Sequence, residues 1–158
     1  MDIHAWPLRR ASAQDVGALA ALYREAARVQ GPQVYSPAQV QAWASFGQPS
    51  PAFVDYVLGA DTWMALDGPQ IVGFSGVDAR GEVRSLYVRP SHGRRGLGAR
   101  LLAHALASSA HAGLTSWSAW ATPFSRPVFE RAGFSLAEVR REPYQGIEFD
   151  RYRMIKPA

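Results

Sequence analysis

The stretch Leu86-Tyr87-Val88-Arg89-Pro90-Ser91-His92-Gly93-Arg94-Arg95-Gly96-Leu97-Gly98-Ala99-Arg100-Leu101-Leu102 reads as a strand, a glycine loop and the start of a helix. Gly96 and Gly98 carry no side chain to keep backbone N–H groups away from an approaching anion. The helix that follows offers unpaired N–H groups in its first turn, and its dipole favours negative charge there. Arg94 and Arg95 can add charge-assisted hydrogen bonds. A P-loop requires Lys and then Ser or Thr after its last glycine, whereas Ala99-Arg100 follow Gly98; a dinucleotide fingerprint would place a third glycine at Leu101. What remains is an anion loop of another kind, with a glycine turn ahead of a structural helix as the plain alternative.

Upstream, Thr62 to Leu66 and Gln70 to Val77 flank the hairpin signal Asp67-Gly68, and Glu82 to Val88 follows a second turn at Ala79-Arg80-Gly81. Three antiparallel strands are the economical reading. Before them the period is helical. Ser12-Ala13-Gln14-Asp15 resembles a capping box ahead of a helix to about Val29, Ser36-Pro37-Ala38-Gln39 opens a second helix, and Ser50-Pro51 a short third. Ile3 to Ala11 reads as a strand that Pro7 confines to an edge.

Downstream, Leu101, Leu102, Ala105 and Leu106 carry the helix after Gly98 to about Ala110, and Thr115 to Ala121 is strand-like. Arg126 to Ala132 makes a short helix closed by Gly133. Phe134 to Arg140 and Ile147 to Ile155 form two further strands, joined across Pro143 to Gly146. The expected fold is α/β: a mixed, mostly antiparallel seven-stranded sheet with helices on both faces, in one domain spanning residues 1–158.

Apolar residues make up 47% and charged residues 19% of the 158, so a packed core is expected. A net charge of +4 suits a phosphate-bearing ligand but is too small to call for nucleic acid. There are no cysteines, which excludes thiolate nucleophiles, disulfides and Cys-ligated zinc. The four histidines, His104 and His111 among them, form no recognised ligand set, so no metal is expected. Met1 to Arg10 lacks the pattern of a secretory signal, and His104, His111, Gly113 and Pro123 interrupt the uncharged run from Leu101 to Ser125. A cytoplasmic protein without a membrane span is the expectation.

The order of strand, Arg94-Arg95-Gly96-Leu97-Gly98-Ala99, Leu-rich helix, strand and short helix, followed by Phe129-Glu130-Arg131-Ala132-Gly133-Phe134, resembles the GNAT superfamily of acetyl-CoA-dependent N-acetyltransferases. Tyr35 to Ala44 and Arg126 to Glu130 are similar to a bacterial YafP-like subgroup. The resemblance implies acetyl-CoA as co-substrate, its pyrophosphate on Arg94, Arg95, Gly96, Leu97, Gly98 and Ala99 and its pantetheine arm along the backbone of Leu86, Tyr87 and Val88. It implies that the Val88 N–H polarises the thioester carbonyl and that Glu82 is the first candidate for the base, unless Glu82 is a solvated turn residue after Gly81. The sequence departs from the family pattern at Gly93, where Gln or Arg is usual, and at Phe129, where many members place a tyrosine that protonates the leaving thiolate. Phe129 is then read as apolar wall beside the pantetheine sulfur.

The acceptor is expected between the first helices and the strands, with Tyr35, Trp43 and Trp63 as wall residues or plain core. Its class is a small-molecule or peptide amine, and a homodimer is left open. Two rival readings are a catalytically silent acyl-CoA-binding sensor and a basic nucleic-acid-binding domain.

Overall fold

A computed structural model describes residues 5–158. Seven strands form one sheet in the order β1-β2-β3-β4-β5-β7-β6, with β1 Leu8–Arg10, β2 Asp61–Asp67, β3 Gln70–Val77, β4 Glu82–Val88, β5 Trp117–Ala121, β6 Ser135–Tyr144 and β7 Ile147–Lys156. Every neighbouring pair is antiparallel except β4 and β5. Helices α1 (Val16–Gln30), α2 (Pro37–Ser45) and α3 (Pro51–Leu58) pack on one face, where Leu19, Leu22, Phe53, Val57, Met64 and Phe74 are buried together. Helices α4 (Leu97–His111) and α5 (Arg126–Arg131) cover the other, over Leu102, Ala119, Phe129 and Met154. The mixed sheet with helices on both faces is the architecture expected from the segment pattern.

Two boundaries differ. The first strand is short, beginning at Leu8 immediately after Pro7, while Ile3 lies outside the described residues. It occupies the edge of the sheet, where a proline's missing donor is tolerated. The final hairpin is longer than expected. β6 continues through Pro143 to Tyr144 because β6 is the opposite edge, and the turn is the two-residue Gln145-Gly146 with φ of 52° and 78°.

The starts of the helices follow their signals. Ser36 Oγ accepts from the Gln39 N–H at 3.2 Å while Gln39 Oε1 accepts from the Ser36 N–H at 2.9 Å, and Gln39 Nε2 reaches the Glu148 carbonyl on β7 at 2.9 Å. That last bond fixes α2, and with it Trp43, against the sheet. At α1 a 3₁₀ turn comes first, and Asp15 accepts from the Ser12 N–H at 2.8 Å and from Arg9 at 2.9 and 3.0 Å.

The Arg9 hydrogen bonds hold the Asp15 carboxyl down at about 2, against the residual pull of burial in the other direction. A folded pKa below the unfolded one stabilises the protein above pH ~4, and the gain is lost as pH falls from there toward 2. Asp15→Asn is expected to cost on the order of 1 kcal/mol at pH 7, since Arg9 is half exposed, and to flatten the acid limb between pH ~4 and ~2. Denaturant unfolding of parent and variant at pH 7 and 2 checks this. Equal pH slopes would show that the pair contributes nothing.

Candidate active site

Three features converge where β4 ends. The first is the glycine loop. Arg89, just after β4, donates to the Ile71 carbonyl at 3.1 and 3.0 Å and to Glu25 of α1, which anchors the loop's entry on both sides. His92 is hydrogen-bonded to Asp67 at 2.9 Å and its ring meets Trp6 edge-on at 5.0 Å, so it braces the loop. Arg94 and Gly96 take left-handed backbone, with φ of 61° and 81°, and Gly96 caps α4. The helical ladder begins with the Arg100 N–H donating to Gly96 O at 3.0 Å. The amides ahead of it, on Leu97, Gly98 and Ala99, are the open donors of the helix N-terminus. Arg94 and Arg95 are exposed beside them.

The second feature is a gap in the sheet. The parallel pair β4–β5 keeps register only at Glu82↔Ser118 and Val83↔Ala119, and beyond Val83 the strands part. Arg89 N–H donates to Val72 O at 2.7 Å while Val88 is opposite Gly73, which makes Val88–Gly73 a non-hydrogen-bonded pair; by alternation Phe74–Tyr87 is bonded and Ser75–Leu86 is not. The N–H groups of Leu86 and Val88 therefore face the gap. The Tyr87 N–H is spent on β3, so of the three residues expected to hold a ligand by backbone, Tyr87 has no gap-facing N–H, and it lines the slot and the neighbouring cavity. The gap holds a slot of about 120 Å³ lined by Leu86, Val88, Gly98, Val128 and Phe129 among others. Phe129 is buried and packs against Phe134 with ring centroids 5.1 Å apart.

The third feature is a cavity of about 410 Å³ on the α1–α3 side, which shares Trp43, Tyr87, Trp120 and Thr122 with the slot. Tyr35 and Trp43 line it with ring centroids 5.5 Å apart, and Trp43 stacks on Phe124 at 5.7 Å. Trp43 Nε1 donates to Tyr87 Oη at 3.3 Å, and the Tyr23 ring lies 4.7 Å from that of Tyr87 and 6.2 Å from that of Tyr56. Burial raises all three phenols, Tyr23 and Tyr56 well above the ordinary value, and pushes Tyr35 up to about 12. Each is a neutral hydrogen-bonding group near neutral pH, and none is a base.

Trp63 lies elsewhere. Its ring meets His104 of α4 at 4.2 Å and lies under Arg10 at 4.6 Å, on the face of the sheet opposite Tyr35 and Trp43. Its neighbour Met64 takes the cavity side instead, in the core with Tyr23 and Trp43.

Glu82 lines the cavity at the start of β4, and Arg153 of β7 donates to it at 3.2 Å. Arg153 in turn sits 5.0 Å from the Trp120 ring. The turn before Glu82 is rigid. Asp78 is buried, accepting from the Arg80 N–H at 2.9 Å, the Glu82 N–H at 3.1 Å and Arg84 Nε at 3.1 Å. Burial pushes its carboxyl up, but these donors outweigh it and hold it below the usual range. Gly81 adopts φ 87°, and a Cβ there would stand 2.6 Å from Ser116 O. Glu82 is thus a held residue, turned to the cavity, and not a loose one at a solvent turn.

Tyr23, Tyr56 and Asp78 escaped the sequence reading. Tyr23 lies inside the first helix, and nothing local connects it with Tyr56 and Tyr87. The spacing of Asp78 ahead of Gly81 was the one available signal, since Asp accepts from backbone N–H groups two residues on in turns. Among the described residues there is no cluster of metal-ligating side chains, and no helix is long and apolar enough to cross a membrane.

The chain is 28% identical over 141 residues, 89% of its own length and 88% of the relative's, to the uncharacterized N-acetyltransferase YafP of Escherichia coli (strain K12). Its fold matches a GCN5-related N-acetyltransferase from Rhodopseudomonas palustris with a TM-score of 0.90 at 22% identity, covering 97% of this chain and 96% of that one. It also matches the PaiA N-acetyltransferase of Thermoplasma acidophilum, solved in complex with coenzyme A, with a TM-score of 0.79 at 15% identity, covering 97% and 99%. Residues 32–156 match the acetyltransferase (GNAT) domain, which agrees with the glycine loop, the parted strands and the cavity, and the chain belongs to the GNAT acetyltransferase family.

Proposed function

We propose that this protein, one domain over residues 1–158, transfers the acetyl group of acetyl-CoA to a primary amine by direct attack. The observation that carries this reading is continuity: the open amides of Leu97, Gly98 and Ala99 lead into the slot beside β4, and the slot opens into the aromatic cavity. The pyrophosphate fits at the helix N-terminus with Arg94 and Arg95 over it. The pantetheine arm lies along the gap-facing N–H groups of Leu86 and Val88, one of which also serves the thioester carbonyl. Val88 is the sequence expectation for that second role.

The acceptor enters the cavity, its wall formed by Tyr35 and Trp43. Glu82 takes the amine proton directly or through water, and Arg153 keeps the carboxylate oriented. The acceptor is a small-molecule or peptide amine, and the working compartment is the cytoplasm. Screening amine pools for CoA release with the purified protein tests the reading. Binding of acetyl-CoA without release on any amine would identify a silent acyl-CoA sensor instead.

Phe129 cannot give a proton to the leaving thiolate. A CoA thiolate is protonated by water near neutral pH, so a working enzyme is expected without it. Phe129→Tyr is expected to keep acetyl-CoA binding and to leave turnover equal or higher, as judged by steady-state kinetics alongside calorimetry. Loss of most activity with binding intact would refute this account of the position.

A further inference from the structure

Ser85 stands on β4 between Glu82 and Leu86. It is 3% exposed, and its hydroxyl has no hydrogen-bond partner among the described residues. An unpaired buried hydroxyl reduces stability, so its retention calls for an explanation at the site where it occurs. The register Gly76↔Ser85, Ser75↔Leu86, Phe74↔Tyr87 is regular, so Ser85 projects to the same face of the sheet as Tyr87, the face on which the cavity lies. Ser85 also lines the slot. Its own carbonyl is already engaged by Ser75 Oγ at 2.7 Å.

We propose that the Ser85 hydroxyl and the Leu86 N–H together form the donor pair that receives the thioester carbonyl oxygen of the bound acyl-CoA. This deepens the transferase reading and rests on it. Val88 is next to the anion loop, since a Cβ at Gly98 would lie 3.7 Å from Val88 Cγ2, and an arm that separates the pyrophosphate from the thioester runs on past it along the strand. Two residues further along the same edge, the Leu86 N–H also faces the gap, and the adjacent Ser85 side chain rises from the sheet on the acceptor's side. The Val88 N–H is left to the arm.

When the amine nitrogen bonds to the carbonyl carbon, charge grows on the oxygen between these two donors. The C–S bond then breaks, the amine proton leaves toward Glu82, and the thiolate is protonated by water. Ser85 keeps its proton throughout and acts by hydrogen bonding alone.

Ser85→Ala supplies the test because it removes a hydroxyl that no described residue hydrogen-bonds. Its melting temperature is expected to equal or exceed the parent's, and its affinity for CoA, which has no acyl carbonyl, to be unchanged. Turnover of acetyl-CoA is expected to fall by about a hundredfold, the lower end of the range for a lost oxyanion donor. Infrared difference spectra with carbonyl-labelled acetyl-CoA give a readout that needs no acceptor: the carbonyl band of the bound ligand lies lower in the parent and moves back toward its solution position in Ser85→Ala. A band that is the same in both proteins overturns the contact, whatever the kinetics. A band that moves in a protein that acetylates no amine upholds the contact and refutes the transferase reading.

Discussion

Gly98→Val is expected to weaken acetyl-CoA binding by about a hundredfold or more while the protein stays folded, because an anion at a helix N-terminus depends on close backbone approach. The position is well suited to the test. Gly98 lines the slot, its φ is not in the left-handed region, and among the described residues outside its own helix an added Cβ would meet Val88 Cγ2 at an ordinary 3.7 Å. Valine is a better helix former than glycine by a few tenths of a kcal/mol, roughly 0.3, so propensity does not oppose the change. Its two methyl groups would stand where the phosphate meets the amides. Gly96→Val should also abolish binding, but with φ 81° it strains the backbone as well. Calorimetry on Gly98→Val, with circular dichroism as the control for folding, decides the matter. An unchanged affinity would remove the pyrophosphate from this loop.

Glu82→Gln is expected to lower turnover by on the order of a hundredfold or more with little effect on acetyl-CoA affinity, the range for a lost general base. Glutamine keeps the shape and can still accept from Arg153, so the substitution removes basicity and leaves the packing near Trp120 intact. The deficit should shrink as pH rises, because an amine that deprotonates unaided has less need of a base. If the pH–rate profiles of parent and variant overlay, Glu82 is only the cavity-side partner of Arg153.

What the sequence reveals follows from how local the physics is. The glycine loop, α4 and the capped starts of α2 and α3 were legible because each depends on a few consecutive residues. Trp63 was not, because adjacent residues of a strand point to opposite faces, and nothing in the alternation says which set of helices covers which face. The parity of one residue gives the cavity side to Met64 and sends Trp63 to His104. The phenol cluster of Tyr23, Tyr56 and Tyr87 draws on α1, α3 and β4, and no spacing rule links three segments that distant. Ser85 is, in the sequence, one polar residue inside a strand. Only the packing around it shows that its hydroxyl is buried at the slot with no partner among the described residues.

The Glu82–Arg153 pair joins residues 71 apart in the chain, whereas the glycine loop is complete within β4 and the first turn of α4. Contacts of long sequence separation close late in folding, because the entropy of the intervening loop must be overcome first. During synthesis, the loop from Val88 to Ala99 has emerged well before β7 can wedge between β5 and β6. The residues of the anion loop are therefore all present before the one that orients Glu82 has been made, so the order of synthesis runs from the phosphate end of the site to its catalytic end.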